Sequence, residues 1–232
     1  MNTNLWVYLS TSPLLWLTGT LVVWALAQFI FEKANKNPAV NPVLLSMLII
    51  VPLLRVFSID YKTYFDGAQF IHFLLGPATV ALGIPLFQRI GTVRASLLPI
   101  LAALLVGCVV AIGSTLLIGH LMGLSPLILA SIAPKSATTA VAMAISSSLH
   151  GDPGLTAAVV LATGISGAII VTPLMNAMRI KDYSARGFAA GLASHGLGTA
   201  RAFSVHPDAG LFAGLAMGLN AALTSVIIHL MI

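Results

Sequence analysis

Charge is the scarcest property of this sequence. Of its 232 residues only 7% are Asp, Glu, Lys or Arg, while 58% are hydrophobic and the mean hydropathy is +1.01. Soluble domains carry roughly a quarter charged residues, so the chain reads as an integral membrane protein. Near-continuous apolar stretches leave no room for a soluble domain, and residues 1–232 are taken as one multi-pass unit.

Other shortages narrow the functions further. Cys108 is the single cysteine, set in "LLVGCVVAIG", so no disulfide framework exists and the thiol reads as a small packing residue. The six histidines are scattered, with no metal-ligand spacing, so no metal or other cofactor is implied. A G-x-x-x-x-G-K-[ST] phosphate loop is absent, which argues against direct energisation by a nucleotide. No positive region precedes the first apolar run, whose first charge is Glu32, so that run is expected to stay as a span rather than be removed as a signal peptide. The net charge of +5 is dispersed over short loops, which is how topology signals look, and no nucleic-acid partner is inferred.

What is present is a series of apolar stretches at 5–31, 39–58, 68–88, 95–122, 126–149, 154–178, 186–203 and 210–232. The pattern predicts an all-α membrane protein of six to eight segments. Basic residues cluster at Lys33 and Lys36, at Arg89 and Arg94, and at Arg179, Lys181 and Arg186, and those loops are expected to face the cytoplasm. The loops at 59–67, 123–125, 150–153 and 204–209 are then expected on the other side.

Two segments are unlike the rest. The first, "ASIAPKSATTAVAMAI" (130–145), holds Pro134, Lys135 and four hydroxyl side chains. If 126–149 crossed fully, the next span would carry the "RIKDYSAR" loop outside, against the charge bias; a hairpin broken near Pro134 keeps it inside, and this is the preferred reading. The second, "ARGFAAGLASHGLGTARAF" (185–203), contains Gly187, Gly191, Gly196 and Gly198 with His195 and Arg201, and reads as a second broken or re-entrant helix. Interrupted backbone at membrane depth is tolerated only when buried in protein or lining a wet cavity. Both segments therefore point to a binding cavity.

Lys135 is the sharpest signal. A lysine at membrane depth costs ~2.5–3.5 kcal/mol on insertion scales, so it needs a partner or water. All six acids, Glu32, Asp60, Asp66, Asp152, Asp182 and Asp208, lie in loops or at span ends, which leaves the counter-charge to an anionic ligand. Ser136, Thr138 and Thr139 follow directly, where a helix restarting after Pro134 exposes unpaired N–H groups and favours anions. In the second segment Arg201 suits bidentate carboxylate recognition, His195 can exchange a proton, and Ser194 and Thr199 add hydroxyls. The plainer alternatives are that Lys135 snorkels to an interface and that Arg201 anchors one. Ser136 beside Lys135 and Ser194 beside His195 are no hydrolytic dyads, because adjacent helical residues point ~100° apart. No catalytic residue is assigned, and the chain is read as a non-enzyme.

Smaller features fill in the rest. Gly187 and Gly191, and Gly210, Gly214 and Gly218, have the four-residue spacing that lets helix backbones approach. Pro77 and Pro85 predict a third irregular span, and Arg55 is expected to pair with Asp60. "AS", a kink and "TA" recur at 130–140 and 193–200, a match too short to establish a repeat.

These segments carry a family resemblance. "NPVLLSMLIIVPLL" (41–54), "DYKTYFDGAQFIHFLLGPATVALGIPLF" (60–87), "ASIAPKSATTAVAMAI" (130–145) and "NAMRIKDYSARGFAAGLASHGLGTARAF" (176–203) resemble the LrgB/CidB-type membrane proteins. That family includes the YohK-like proteins and the second half of the plant plastid glycolate/glycerate translocator. The resemblance implies a multi-pass protein of the bacterial cytoplasmic (inner) membrane, working with a separate small LrgA/CidA-like membrane partner. It implies either transport of small monocarboxylates (glycolate, glycerate, pyruvate or 3-hydroxypropionate) or holin/antiholin-like control of murein hydrolase export and autolysis. The residues favour transport, with Lys135, Ser136, Thr138, Thr139, Ser194, His195, Thr199 and Arg201 as candidate substrate ligands. The coupling ion, proton or sodium, and homo-oligomeric assembly stay open at this point, with His195 the candidate carrier if protons are coupled.

Overall fold

The computed structural model describes residues 12–81 and 83–231, all helices and connections with no strand among them. The helices are α1 (Pro13–Lys33), α2 (Pro42–Val56), α3 (Tyr61–Ala81), α4 (Gly83–Gln88), α5 (Ile90–Ala95), α6 (Leu97–Leu121), α7 (Pro126–Ile132), α8 (Thr139–Ser148), α9 (Pro153–Ala177), α10 (Tyr183–Val205) and α11 (Pro207–Met231). Among the described residues α1, α6, α9 and α11 are long and apolar enough to cross a membrane, so the chain is an all-α membrane protein as the sequence predicts. The first apolar stretch begins within residues 1–11, which lie outside the described residues.

The chain divides into two compact units, 1–84 and 85–232. In the first, α1 and α3 are joined where Gly67 meets the backbone of Pro13–Leu17, and by a 3.1 Å hydrogen bond from Thr20 Oγ1 to Tyr64 Oη. Asn41 caps α2 through Val43 and Leu44 N–H, and Pro at the first helical position pre-sets the backbone. Asp60 differs from expectation. Its carboxylate accepts from Lys62 N–H at 3.1 Å, and no ion pair joins it to Arg55 among the described residues. Pro77 lies inside α3, and residue 82, where α3 and α4 adjoin, is outside the described residues.

The second unit holds the two unusual segments, and both are hairpins. In the first, α7 and α8 have 7 and 10 residues, about 10 and 15 Å at 1.5 Å per residue. Neither can cross ~30 Å of hydrocarbon. Both arms of the hairpin bond the start of α9: Ser131 Oγ accepts from Asp152 N–H at 2.7 Å, and Thr156 Oγ1 lies 2.9 Å from the Ser131 carbonyl and 2.7 Å from Ser146 Oγ. Its tip reaches mid-depth, where the Ser136 carbonyl accepts from Nδ2 of Asn220, near the middle of α11. The segment 126–149 therefore re-enters.

The second hairpin lies within α10. Ser194 and His195 leave helical geometry, with His195 at φ 41°, ψ −132°, and the chain doubles back. Gly198 consequently touches the backbone of Ala190, and Tyr183 at the start of the segment stacks on His206 at its end with ring centroids 4.2 Å apart. The limbs, 183–193 and 196–205, are each about 15 Å long. The outgoing limb runs parallel to α11, because Gly187 and Gly191 abut the backbones of Ala209 and Ala213 so closely that a Cβ at either would overlap it. At Gly187 and Gly191 the four-residue spacing thus serves close helix packing, whereas Gly218 abuts no neighbour.

This reversal corrects the expected side of loop 204–209. That loop lies at the same end of the second unit as Arg89 and Arg186, and Arg89 pairs with Asp208 there at 2.8 Å. The end of α9 is fastened there too: Arg186 Nη2 donates to Asn176 Oδ1 at 2.7 Å, and Arg201 Nε donates to Thr172 Oγ1 at 3.2 Å. Charge bias placed the loop opposite because it assumes that 186–203 crosses. The first hairpin enters at the beginning of α9 and the second at its end, so they penetrate from opposite faces. Each is followed by a full span, and the turns between are "HGDPGL" (150–155) and "HPDAGL" (206–211). The second unit is thus built from two hairpin-plus-span motifs of inverted orientation.

Three outcomes follow. Cysteines introduced at Lys181 and His206 should react with an impermeant maleimide from one face of the membrane and a cysteine at His150 from the other; opposite-face labelling of 181 and 206 would mean that α10 crosses. Asn220→Leu should cost about 1–3 kcal/mol by leaving buried carbonyls unpaired, read as a lower melting temperature in detergent. Gly218→Ala should cause no loss, since its added Cβ meets no atom within 4 Å.

Candidate functional site

The hairpin tips meet near the centre of the second unit because one side chain serves both. Asn220, 1% exposed, donates from Nδ2 to the Ser136 carbonyl at 2.9 Å and to the Leu192 carbonyl at 3.1 Å. Its Oδ1 accepts from Cys108 Sγ at 2.8 Å, which ties the pair to α6. Breaks in a membrane helix strand carbonyls that water cannot reach, and an amide with two donors and an acceptor satisfies them at one point. Asn220 is thus a residue that the sequence reading missed.

On the other side the second tip leans on α9. The His195 ring lies against Gly164 and Ser194 against Gly167, so a Cβ at either glycine would collide with the tip. His195 Nε2 stands 3.0 Å from the Val160 carbonyl, and because a carbonyl only accepts, that nitrogen carries the hydrogen. A non-glycine residue at φ 41° is held at some cost in backbone energy; this bond and the enclosing packing hold it there.

Between the tips and the basic end runs a cavity of about 800 Å³, walled by α6, α9, the outgoing limb of α10 and Phe212 of α11. Its inner end is lined by Lys135, Ser136, Thr163 and Ser194, with Gly107 and Gly167 where the walls come near. Ser96, Asp182 and Ser184 stand at the end where α6 and α10 begin. Asp182 caps α10 there, accepting from Ser184 N–H at 2.6 Å and Ala185 N–H at 3.3 Å. The cavity therefore lies at the face that also carries Arg89, Arg94, Arg179, Lys181 and Arg186. Such a positive surround raises the local concentration of anions.

Lys135 sits in the turn between α7 and α8, its N–H bonded to the Ile132 carbonyl at 3.1 Å. No hydrogen bond or ion pair joins its ammonium to any described residue. Among the described residues Asp182 is the only acid lining the cavity, and it stands at the far end. An ammonium in a membrane-depth cavity without a protein counter-ion is the electrostatic condition in which an anionic ligand gains most.

The other sequence-derived candidates are spread around this point. Lys135, Ser136 and Ser194 line the cavity together. Thr138 and Thr139 begin α8 behind the tip, and Thr138 makes no side-chain cap bond. Thr199 is buried, with its hydroxyl donated to the His195 carbonyl at 2.9 Å. His195 is buried against α9, and Arg201 lies on the returning limb at the basic end; neither lines the cavity. Thr163 also lines the inner end. It is one hydroxyl in an apolar span, with no local signal that the tips would pack beside it. No group of three His, Cys, Asp or Glu among the described residues is arranged to hold a metal ion.

Comparison with known proteins is consistent along the chain. The LrgB-like family model matches residues 20–232. The protein YxaC of Bacillus subtilis strain 168, itself described as uncharacterized, is 36% identical over 200 residues, 86% of this chain and 87% of its own. Holin-like protein CidB of Staphylococcus epidermidis RP62A is 31% identical over 213 residues, 92% of this chain and 93% of its own. Holin-like protein CidB of Staphylococcus aureus N315 is 30% identical over 219 residues, 94% and 95% respectively. No solved structure matches the chain. On the family match and on relatives that align over nearly its whole length, this chain belongs to the LrgB-like family of membrane proteins.

Proposed function

We propose that the chain is a secondary transporter of small monocarboxylates, of the glycolate, glycerate, pyruvate or 3-hydroxypropionate class. It would work in the bacterial cytoplasmic membrane with a small LrgA/CidA-like membrane partner. The observation that carries this reading is the Lys135 ammonium at the inner end of the cavity, without a protein counter-ion among the described residues. Ser136, Ser194 and Thr163 surround the same end and can hydrogen-bond a carboxylate and a neighbouring hydroxyl or keto oxygen.

The inverted hairpins supply a route for transport. Two motifs of opposite orientation have similar parts to exchange, so relative movement about the joined tips would close the basic-end mouth and open one at the other face. Asn220 would hold the tips together during that movement, and His195 would keep the second tip seated on α9. We also take the chain to be a carrier and not an enzyme. The His195 imidazole is committed to the Val160 carbonyl, away from the cavity face that Ser194 lines.

A second reading is favoured by the relatives named holin-like protein CidB: a membrane regulator of murein hydrolase export. The readings separate on saturation, because a bound and carried solute gives saturable flux and a pore does not. Proteoliposomes with and without the partner should take up labelled pyruvate or glycolate saturably. Lys135→Ala should reduce uptake at least about thirtyfold, since removing one member of a buried charge pair costs ~2 kcal/mol or more. Equal uptake by wild type and variant, or none by folded protein with its partner, would move the assignment to the regulatory reading.

A further inference from the structure

The walls of the cavity carry information that the lysine does not. A three-carbon acid has about six heavy atoms, whereas about 800 Å³ falls within the ~300–1,000 Å³ range of sites for much larger ligands. The polar groups are confined to the two ends, Lys135, Ser136, Thr163 and Ser194 inside and Ser96, Asp182 and Ser184 at the mouth. Between them the lining is apolar, including Ile100, Ala103, Phe188, Leu192 and Phe212. Of these, Ile100, Phe188, Leu192 and Phe212 belong to the buried cluster that packs α6, α10 and α11 together, so these helices hold the surface in place.

We propose that the site takes monocarboxylates bearing an apolar chain of about four to eight carbons, such as branched-chain or aromatic 2-oxo acids, in preference to the shortest acids. This rests on the preceding reading of Lys135 as the carboxylate site. The carboxylate is held at Lys135, the 2-oxo oxygen by the hydroxyls of Ser136 or Ser194, and the chain lies along Ile100, Phe188 and Leu192 towards the mouth. Apolar walls make poor hosts for water, so a chain that displaces it gains the burial free energy. Asp182 at the mouth disfavours a second carboxylate there, which makes the site selective for one charge.

The test is calorimetric titration of the nanodisc-reconstituted chain with pyruvate, 2-oxobutanoate, 4-methyl-2-oxopentanoate and phenylpyruvate. Affinity is expected to rise about fourfold for each added methylene that is buried. Ala103→Phe, which fills the middle of the cavity, should shrink the preference for phenylpyruvate over pyruvate by tenfold or more. Binding of pyruvate with a flat or falling series overturns the inference and leaves the carboxylate reading standing, the walls then lining only a watery entry. A rising series that Ala103→Phe leaves unaltered also overturns it, by placing the chain elsewhere. Binding of none of the four acids overturns both this inference and the reading on which it rests.

Discussion

Two helices that stop halfway through a membrane leave carbonyls with nothing to accept from, and the fold depends on how that debt is met. Asn220 meets it for both hairpins at once, donating to Ser136 and Leu192 while accepting from Cys108. The tips consequently lie together and the cavity has a defined inner end. An unsatisfied backbone group in hydrocarbon costs several kcal/mol, so the tips come apart only if another donor replaces that amide. Lys135 is placed in the cavity wall by the same geometry, since its own turn immediately precedes the carbonyl that Asn220 holds.

Small residues then set how closely the parts fit. Gly164 and Gly167 form a flat face on α9 for the His195–Ser194 tip, and Gly187 and Gly191 let the outgoing limb lie against α11. Polar bonds fasten each hairpin to α9: Ser131, Ser146 and Thr156 near the start of that span, Arg186, Arg201 and Thr172 near its end. Packing and polar bonds thus fix both hairpins on the same span, α9.

Much of this was legible in the sequence, and the failures share a cause. Pro134 with Lys135 marked the first hairpin, whose direction followed from charge bias; the glycines around His195 marked the second interruption. Its direction was not legible. A reversal at Ser194–His195 depends on two residues' backbone angles, and loop 204–209 carries only His206 and Asp208 to vote on its side. Arg201 and Thr199 suit a carboxylate by their chemistry, whereas the return carries Arg201 to the basic end and leaves the Thr199 hydroxyl on the His195 carbonyl. Asn220 offered a signal that went unread, an amide alone within "GLNAAL", because partners from α6, the first tip and α10 are remote in sequence. Thr163 had no signal of its own.

The central claim is that an anionic ligand supplies the counter-charge that the Lys135 ammonium lacks. The most direct measurement is rotational-echo double-resonance solid-state NMR on the reconstituted protein, with ¹⁵N at lysine Nζ and ¹³C at the pyruvate carboxylate, the Lys135 signal being identified by its loss in Lys135→Arg. The account predicts dipolar dephasing for a separation of roughly 3–4 Å, the span of an ammonium hydrogen-bonded to a carboxylate. Pyruvate bound to the protein with no dephasing at Lys135 would contradict it.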